Sequence, residues 1–216
     1  MSSSSRRLGR LVPAAVITTT LLVGCQIRDD SSSARESLEL TRNVERTGLD
    51  DGGDSEWGLS ESEILGVLAT AHEGQIVHGH MVVGALGDET LRAYAGDIVK
   101  AHTRAQLKLA QLSDARALEM RDSPVAQELS ATDEAVTHSL AAQSEGSDLD
   151  RKYALAQVSK HRELLEVIDH LLLPDAHSPE LRQELKRERH EISAQLARID
   201  ALAKRLEPEP VYRSSL

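Results

Sequence analysis

The sequence predicts an all-α fold: a bundle of four long helices with an extra, weaker helix in the central crossover. Three observations lead there. Through residues 59–206, apolar side chains recur at the three- and four-residue spacing of one helix face, and no stretch alternates as a strand would. Cap signals and breakers cut that stretch into segments of helix length. The chain has no Phe, three Tyr and one Trp, so its core must be built mainly from Leu, Ile, Val and Ala.

The segments follow in order. Ser60-Glu61-Ser62-Glu63 before Ile64 fits a capping box and starts a helix to about Val83. Gly84 and Gly87 break it, and Asp88 can cap a second helix with Leu91, Ala95, Ile98, His102, Ala105, Leu109 and Leu112 on one stripe. Ser123-Pro124, a cap followed by proline at the first helical position, opens the weaker helix holding Val125, Leu129, Val136 and Leu140. Glu145-Gly146-Ser147 stops it, and Ser147 with Asp150 begins the next, on which Ala154, Val158, His161, Leu165, Ile168 and Leu172 align. Pro174 is expected to end that helix. Ser178-Pro179 starts the last, with a stripe of Leu181, Leu185, Ile192, Leu196, Ile199, Leu202 and Leu206. Bundles with one long crossover include the ferritin-like folds.

Ahead of this domain stand two segments of different character. Residues 1–25 open with a basic stretch bearing Arg6, Arg7 and Arg10, followed by the uncharged, largely apolar run Leu11 to Val23. A spanning helix takes about 20 apolar residues, so this shorter run reads as the middle of a secretory signal peptide. It ends Leu22-Val23-Gly24-Cys25, which resembles the lipobox of bacterial lipoproteins. That resemblance implies diacylglycerol on the Cys25 thiol, cleavage just before it, and a membrane anchor of several acyl chains. Cys25 is the chain's one cysteine, so no internal disulfide can form. Residues 26–58 are polar and poor in large apolar groups, as Asp29-Asp30-Ser31-Ser32-Ser33 and Asp50-Asp51-Gly52-Gly53-Asp54-Ser55 show. Such a stretch reads as a disordered tether, and residues 207–216, opening Glu207-Pro208-Glu209-Pro210, as a disordered tail.

The chain has 25 Lys and Arg against 35 Asp and Glu, a net charge of −10. Residues 1–25 hold three arginines and no acid, so the remainder stands at −13. No basic patch is present for a nucleic-acid partner. Nor is there a nucleophile-with-base arrangement or a glycine-rich phosphate loop.

Within the domain, Gly74-Gln75-Ile76, Leu91-Arg92-Ala93-Tyr94-Ala95 leading to His102-Thr103, Leu149-Asp150-Arg151-Lys152-Tyr153 leading to Gln157 and His161, and His190 come in a telling order. Over roughly residues 60–204 they resemble the family of "predicted outer membrane" domains of unknown function. That resemblance implies a ferritin-like bundle in bacterial envelopes without an assigned activity. The chain departs from the family pattern at Gln75, where Glu is usual, at Ala101, where Asp or Glu is usual, and at Leu149, where Phe is usual.

Nine histidines raise the question of metal. A di-iron bundle needs Glu-x-x-His pairs and further glutamates facing inward. Here the residues three before His102, His161 and His190 are Val99, Val158 and Arg187, so iron lacks its oxygen ligands. A softer possibility is that His102, His161 and His190 converge from three helices, near Gln75, and hold zinc or copper. The preferred expectation is instead that each inward imidazole hydrogen-bonds a neighbour: Tyr153, Gln157, Asp150 or another histidine. His78 and His80, two apart, point to different sides of a helix; His72, His138, His170 and His177 are expected at the surface or at caps. The sequence as a whole therefore predicts a lipid-anchored envelope protein of unknown biochemical activity, expected at the outer membrane facing the periplasm. It would be non-enzymatic and act through contacts with other envelope proteins; the alternative is a metal-binding or metal-dependent redox protein with a degenerate histidine site.

Overall fold

The structure, a computed structural model, describes residues 58–143 and 145–207. The signal-like segment, Cys25, nearly all of the tether and the tail beyond residue 207 lie outside the described residues. Among the described residues every regular element is helical: α1 Glu61–Val82, α2 Glu89–Arg116, α3 Pro124–Ala141, α4 Ser147–Val167 and α5 Pro179–Arg205. The all-α bundle predicted from periodicity is what the chain forms.

Most helix starts are set by local chemistry. Ser60 Oγ accepts from the Glu63 N–H while Glu63 Oε2 accepts from the Ser60 N–H at 2.8 Å, a complete capping box. Asp88 caps α2 through the Leu91 N–H at 2.8 Å. Ser123 and Ser178 cap α3 and α5, each followed by proline at the first turn, where a missing N–H costs nothing.

Two starts and stops differ from expectation. α4 begins after Gly146, whose φ of 100° puts it in the region open to glycine, and no side chain caps it. Asp150 instead reaches across to the α1–α2 turn, where its two carboxylate oxygens accept from the Gly87 and Asp88 N–H groups at 2.8 and 2.9 Å. Pro174 does not end the helix. α4 passes into a π-helical turn, Ile168–Leu172, closed by the Leu173 N–H to the Ile168 carbonyl, and continues as Leu173–Asp175. Widening the spiral there accommodates a ring that would otherwise press on the preceding turn.

α1 pairs with α2, and α4 with α5; α2 contacts α5, while α3 crosses between the hairpins and lies mainly on α1. The apolar interior falls into two clusters. One gathers Ile64, Leu68, Leu109, Leu129, Ile168, Leu185 and Ile192 with their neighbours. The other gathers Val82, Leu91, Tyr94, Ile98, Tyr153 and Ile199 with theirs. On each long helix polar residues stand between the two clusters: His72 and Gln75 on α1, His102 on α2, His161 on α4, Gln195 on α5. A polar layer thus crosses the bundle between its two cores.

Gly74 shows how closely α3 is drawn in. A Cβ there would overlap the Asp133 carboxylate of α3, and that carboxylate is pinned by Lys160 Nζ at 2.9 Å. Gly96, inside α2, has nothing within 4 Å of the same position. Gly74→Ala should therefore destabilise by about 1–3 kcal/mol through overpacking. Gly96→Ala should stabilise by about 0.5–1 kcal/mol through helix propensity. Urea denaturation midpoints of the two variants, moving in opposite directions, check both.

Candidate functional site

In the polar layer, chemistry-bearing side chains from all four long helices meet. His72 Nδ1 stands 2.8 Å from His102 Nδ1, linking α1 to α2. His102 Nε2 lies 3.2 Å, and His161 Nε2 3.1 Å, from the same amide oxygen of Gln195. His161 Nδ1 donates to the backbone carbonyl of Gln157 one turn earlier, at 2.7 Å. The ring centroids are 5.0 Å apart for His72 and His102 and 6.2 Å for His102 and His161. All three imidazoles are at most 2% exposed.

Beyond His72, on the α5 side, lies Glu188, whose carboxylate is 3.7 Å from His72 Nε2. Glu188 is itself buried and takes a bond from Arg187 at 2.6 Å. Arg187 also holds Glu184 and Glu191. Burial pushes His72 down to about 4, with the nearby Arg187 cation adding to the effect. It holds His102 well below the ordinary imidazole value, helped by the neighbouring rings, and lowers His161 as well. Burial raises Glu188 to about 7 against the opposing pull of Arg187. The cause throughout is that the low-dielectric interior disfavours whichever form is charged.

A second buried polar group adjoins this layer. Lys160 Nζ has three acceptors for its three donors: Asp133 at 2.9 Å, Glu163 at 2.7 Å and Thr132 Oγ1 at 2.7 Å. His78 Nε2 lies 3.0 Å from the Asp133 carbonyl. A buried lysine so completely engaged is tied down, not poised to react, and it fastens α3 to α4. Removing it would strand the Asp133 carboxylate. Lys160→Met should therefore cost about 3–5 kcal/mol, measured as a loss of unfolding free energy at neutral pH.

Several sequence expectations are corrected here. His190 does not converge with His102 and His161; it is exposed on the outer face of α5, with Ala194 and Ala197 beside it. His72, expected at the surface, is the fully buried histidine that completes the trio. Gln75 is buried on the same face of α1, but its side-chain oxygen has no partner among the described residues. His102 and His161 are inward as expected, and their partners are a histidine, a backbone carbonyl and Gln195. Among the described residues no three His, Cys, Asp or Glu side chains are placed to hold one metal ion. The Nδ1 atoms of His72 and His102 face each other as donor and acceptor of one hydrogen bond instead of converging on a common point.

Gln195 and Glu188 were missed, yet a signal for them exists. The α5 stripe Leu181, Leu185, Ile192, Leu196, Ile199 lacks one helical step, which residue 188 fills, and residue 195 lies on the same face one step before Leu196. A polar residue at position 188 had to be buried, and Gln195 is half-buried.

The site makes stability depend on pH. An unfolded histidine titrates near its ordinary value of about 6.5, whereas folded His72 resists protonation down to about 4. In that window the unfolded chain binds more protons, so the stability His72 contributes is full above about pH 6.5 and lost toward pH 4. The loss amounts to about 3 kcal/mol for His72 alone. Glu188 works oppositely: with its folded value raised, its contribution is present at low pH and lost as pH rises through about 7. Denaturation across this range should show a steep fall in stability on acidification. Glu188→Gln should gain more over the parent chain at pH about 8 than at pH about 5.

Comparison with other proteins places this architecture. A solved structure from Streptomyces coelicolor, described as "putative secreted protein DUF305", matches with a TM-score of 0.57 at 15% sequence identity. The match covers 69% of this chain and 96% of that one. At that identity the likeness bears on the helical fold alone. No curated protein matches the sequence. Residues 52–202, well over half of the chain, match the family described as "Domain of unknown function (DUF4142)", and the protein belongs to that family.

Proposed function

We propose that the protein is a lipid-anchored component of the bacterial envelope whose helical bundle works through contacts with other envelope proteins rather than by catalysis. The observation that carries the anchoring is Leu22-Val23-Gly24-Cys25 behind a basic and then apolar leader. Among the described residues no helix is long and apolar enough to cross a membrane, so the bundle supplies no attachment of its own by that route. Gln26 follows the cysteine, and without an acidic residue there the outer membrane is the proposed destination. The non-catalytic role is supported by the character of the central layer. Its imidazoles are buried between two apolar clusters and engaged by one another, by Gln195 and by the Gln157 carbonyl, and a general base must reach the proton it removes.

Anchoring is tested with the full chain expressed in a Gram-negative host and labelled with a radioactive fatty acid. The parent chain should take up label and sediment with membranes. Cys25→Ser should lose the label and become extractable without detergent. A Cys25→Ser chain that stayed in the membrane fraction would overturn the reading.

A further inference from the structure

The hydrogen bonds of the polar layer obey a rule that the distances alone do not display. Each neutral imidazole has one N–H donor and one acceptor nitrogen, and the Gln195 amide presents an oxygen or an NH2 group to its neighbours. The Gln157 carbonyl can only accept, so His161 Nδ1 must carry a proton. What faces His161 Nε2 then depends on which way the Gln195 amide is turned.

With its NH2 toward the rings, Gln195 donates to both His102 Nε2 and His161 Nε2. His161 is then neutral. His102 carries its proton on Nδ1 and donates to His72 Nδ1, and His72 carries its proton on Nε2, facing an ionised Glu188. With its oxygen toward the rings, as the structure has it, every one of these bonds reverses. His161 Nε2 and His102 Nε2 must both donate. His161 is then an imidazolium, His102 accepts from His72 Nδ1, and the His72 Nε2 lone pair faces a protonated Glu188. Either pattern satisfies every hydrogen bond from Gln157 to His72, and a mixture satisfies neither.

We propose that the Gln195 amide is a two-position switch that makes the buried layer take up two protons together and reverses the direction of its hydrogen-bond chain. The balance closes without any further reactant. One proton from solvent adds to His161 Nε2. A second adds to His102 Nε2, the proton on His102 Nδ1 passes across the 2.8 Å bond to His72 Nδ1, and the proton on His72 Nε2 is given up to the Glu188 carboxylate, which lies 3.7 Å away and must close that gap to receive it. The layer goes from net −1 to net +1 by gaining two protons, while His72 and His102 stay neutral and only exchange tautomers.

The surroundings are compatible with both charge states. From α5 the layer faces Glu184, Arg187, Glu188 and Glu191, and Arg187 binds the three glutamates. From α2 come His102 and, near Glu184, Lys108. α4 contributes His161, with Lys160 and Glu163 in the adjoining group; α1 contributes His72 and His78, and α3 Asp133. The burial that lowers His161 and raises Glu188 holds the two ends apart in their separate tendencies, and the amide joins them. Because the layer touches all four long helices between the two apolar clusters, its proton count is coupled to the packing of the whole bundle. The inference is independent of how the chain is anchored.

The test uses the full chain in mild detergent, labelled with 15N in histidine, and follows the tautomer of each ring by long-range proton–nitrogen correlation from about pH 8 to about pH 4.5. The expected result is that His102 exchanges its protonated nitrogen from Nδ1 to Nε2 without becoming charged. It should do so at the midpoint where His161 gains its second proton, with a Hill coefficient of about two. In Gln195→Leu the link should be gone: His161 should titrate with a Hill coefficient of about one and the His102 tautomer should no longer follow it. A His102 ring keeping one tautomer across the range in the parent chain would overturn the proposal whether or not the variant folds. Coupling that survived in Gln195→Leu would overturn it as well.

Discussion

Three imidazoles held inside a bundle of aliphatic side chains lose the water that would otherwise solvate them, and the structure recovers that loss where they bond one another, the half-buried Gln195 amide and a backbone carbonyl. A buried polar atom left unpaired costs about 1–3 kcal/mol. The four long helices must therefore present His72, His102, His161 and Gln195 at the same height and in matching orientation. An aliphatic core tolerates sliding and repacking; a hydrogen-bonded layer with directional partners does not. The layer is thus the part of the interior that specifies register. The two apolar clusters on either side supply most of the burial.

The ends of the bundle are fixed by carboxylates that act alongside the ordinary caps. Asp150 of α4 satisfies the two N–H groups at the α1–α2 turn. At the other end, Asp175 accepts from the Leu59 N–H and Glu61 from the Ser178 N–H, both at 2.6 Å. Each joins elements 60 or more positions apart in sequence and fills backbone donors that helix geometry leaves open. The crossover helix α3, the weakest of the five by pattern, is held by the Lys160 group and by the contact that Gly74 permits. Val125, Ala126, Leu129 and Leu140 add its apolar contribution to the two clusters.

Most of the fold was legible. Helix starts at Ser60, Asp88, Ser123 and Ser178 could be read because a cap is a local device, decided by a side chain and an N–H three residues away. The start of α4 and its continuation through Pro174 could not. Asp150 found better partners across the bundle, and a π-helical turn absorbed the proline. The site was half legible. His102 and His161 interrupt apolar stripes and are buried as that position requires. His190 was misplaced because adjacent alanines mark a small surface as readily as a close contact. His72 was overlooked although it lies one helical turn from Leu68 on the face that enters the core.

The sequence by itself determined the all-helical class, the order of five helices, most of their caps and a lipobox-like leader ending at Cys25, since each of these is written in neighbouring residues or in one periodicity. Only the tertiary structure decided which polar residues share the central layer, that Glu188 and Gln195 belong to it, and that the histidines bond each other or Gln195 instead of gathering round a common point. The physical reason is that partners within the layer, His102 and Gln195 being 93 positions apart, are chosen by helix rotation and height, which arise from packing the whole bundle at once.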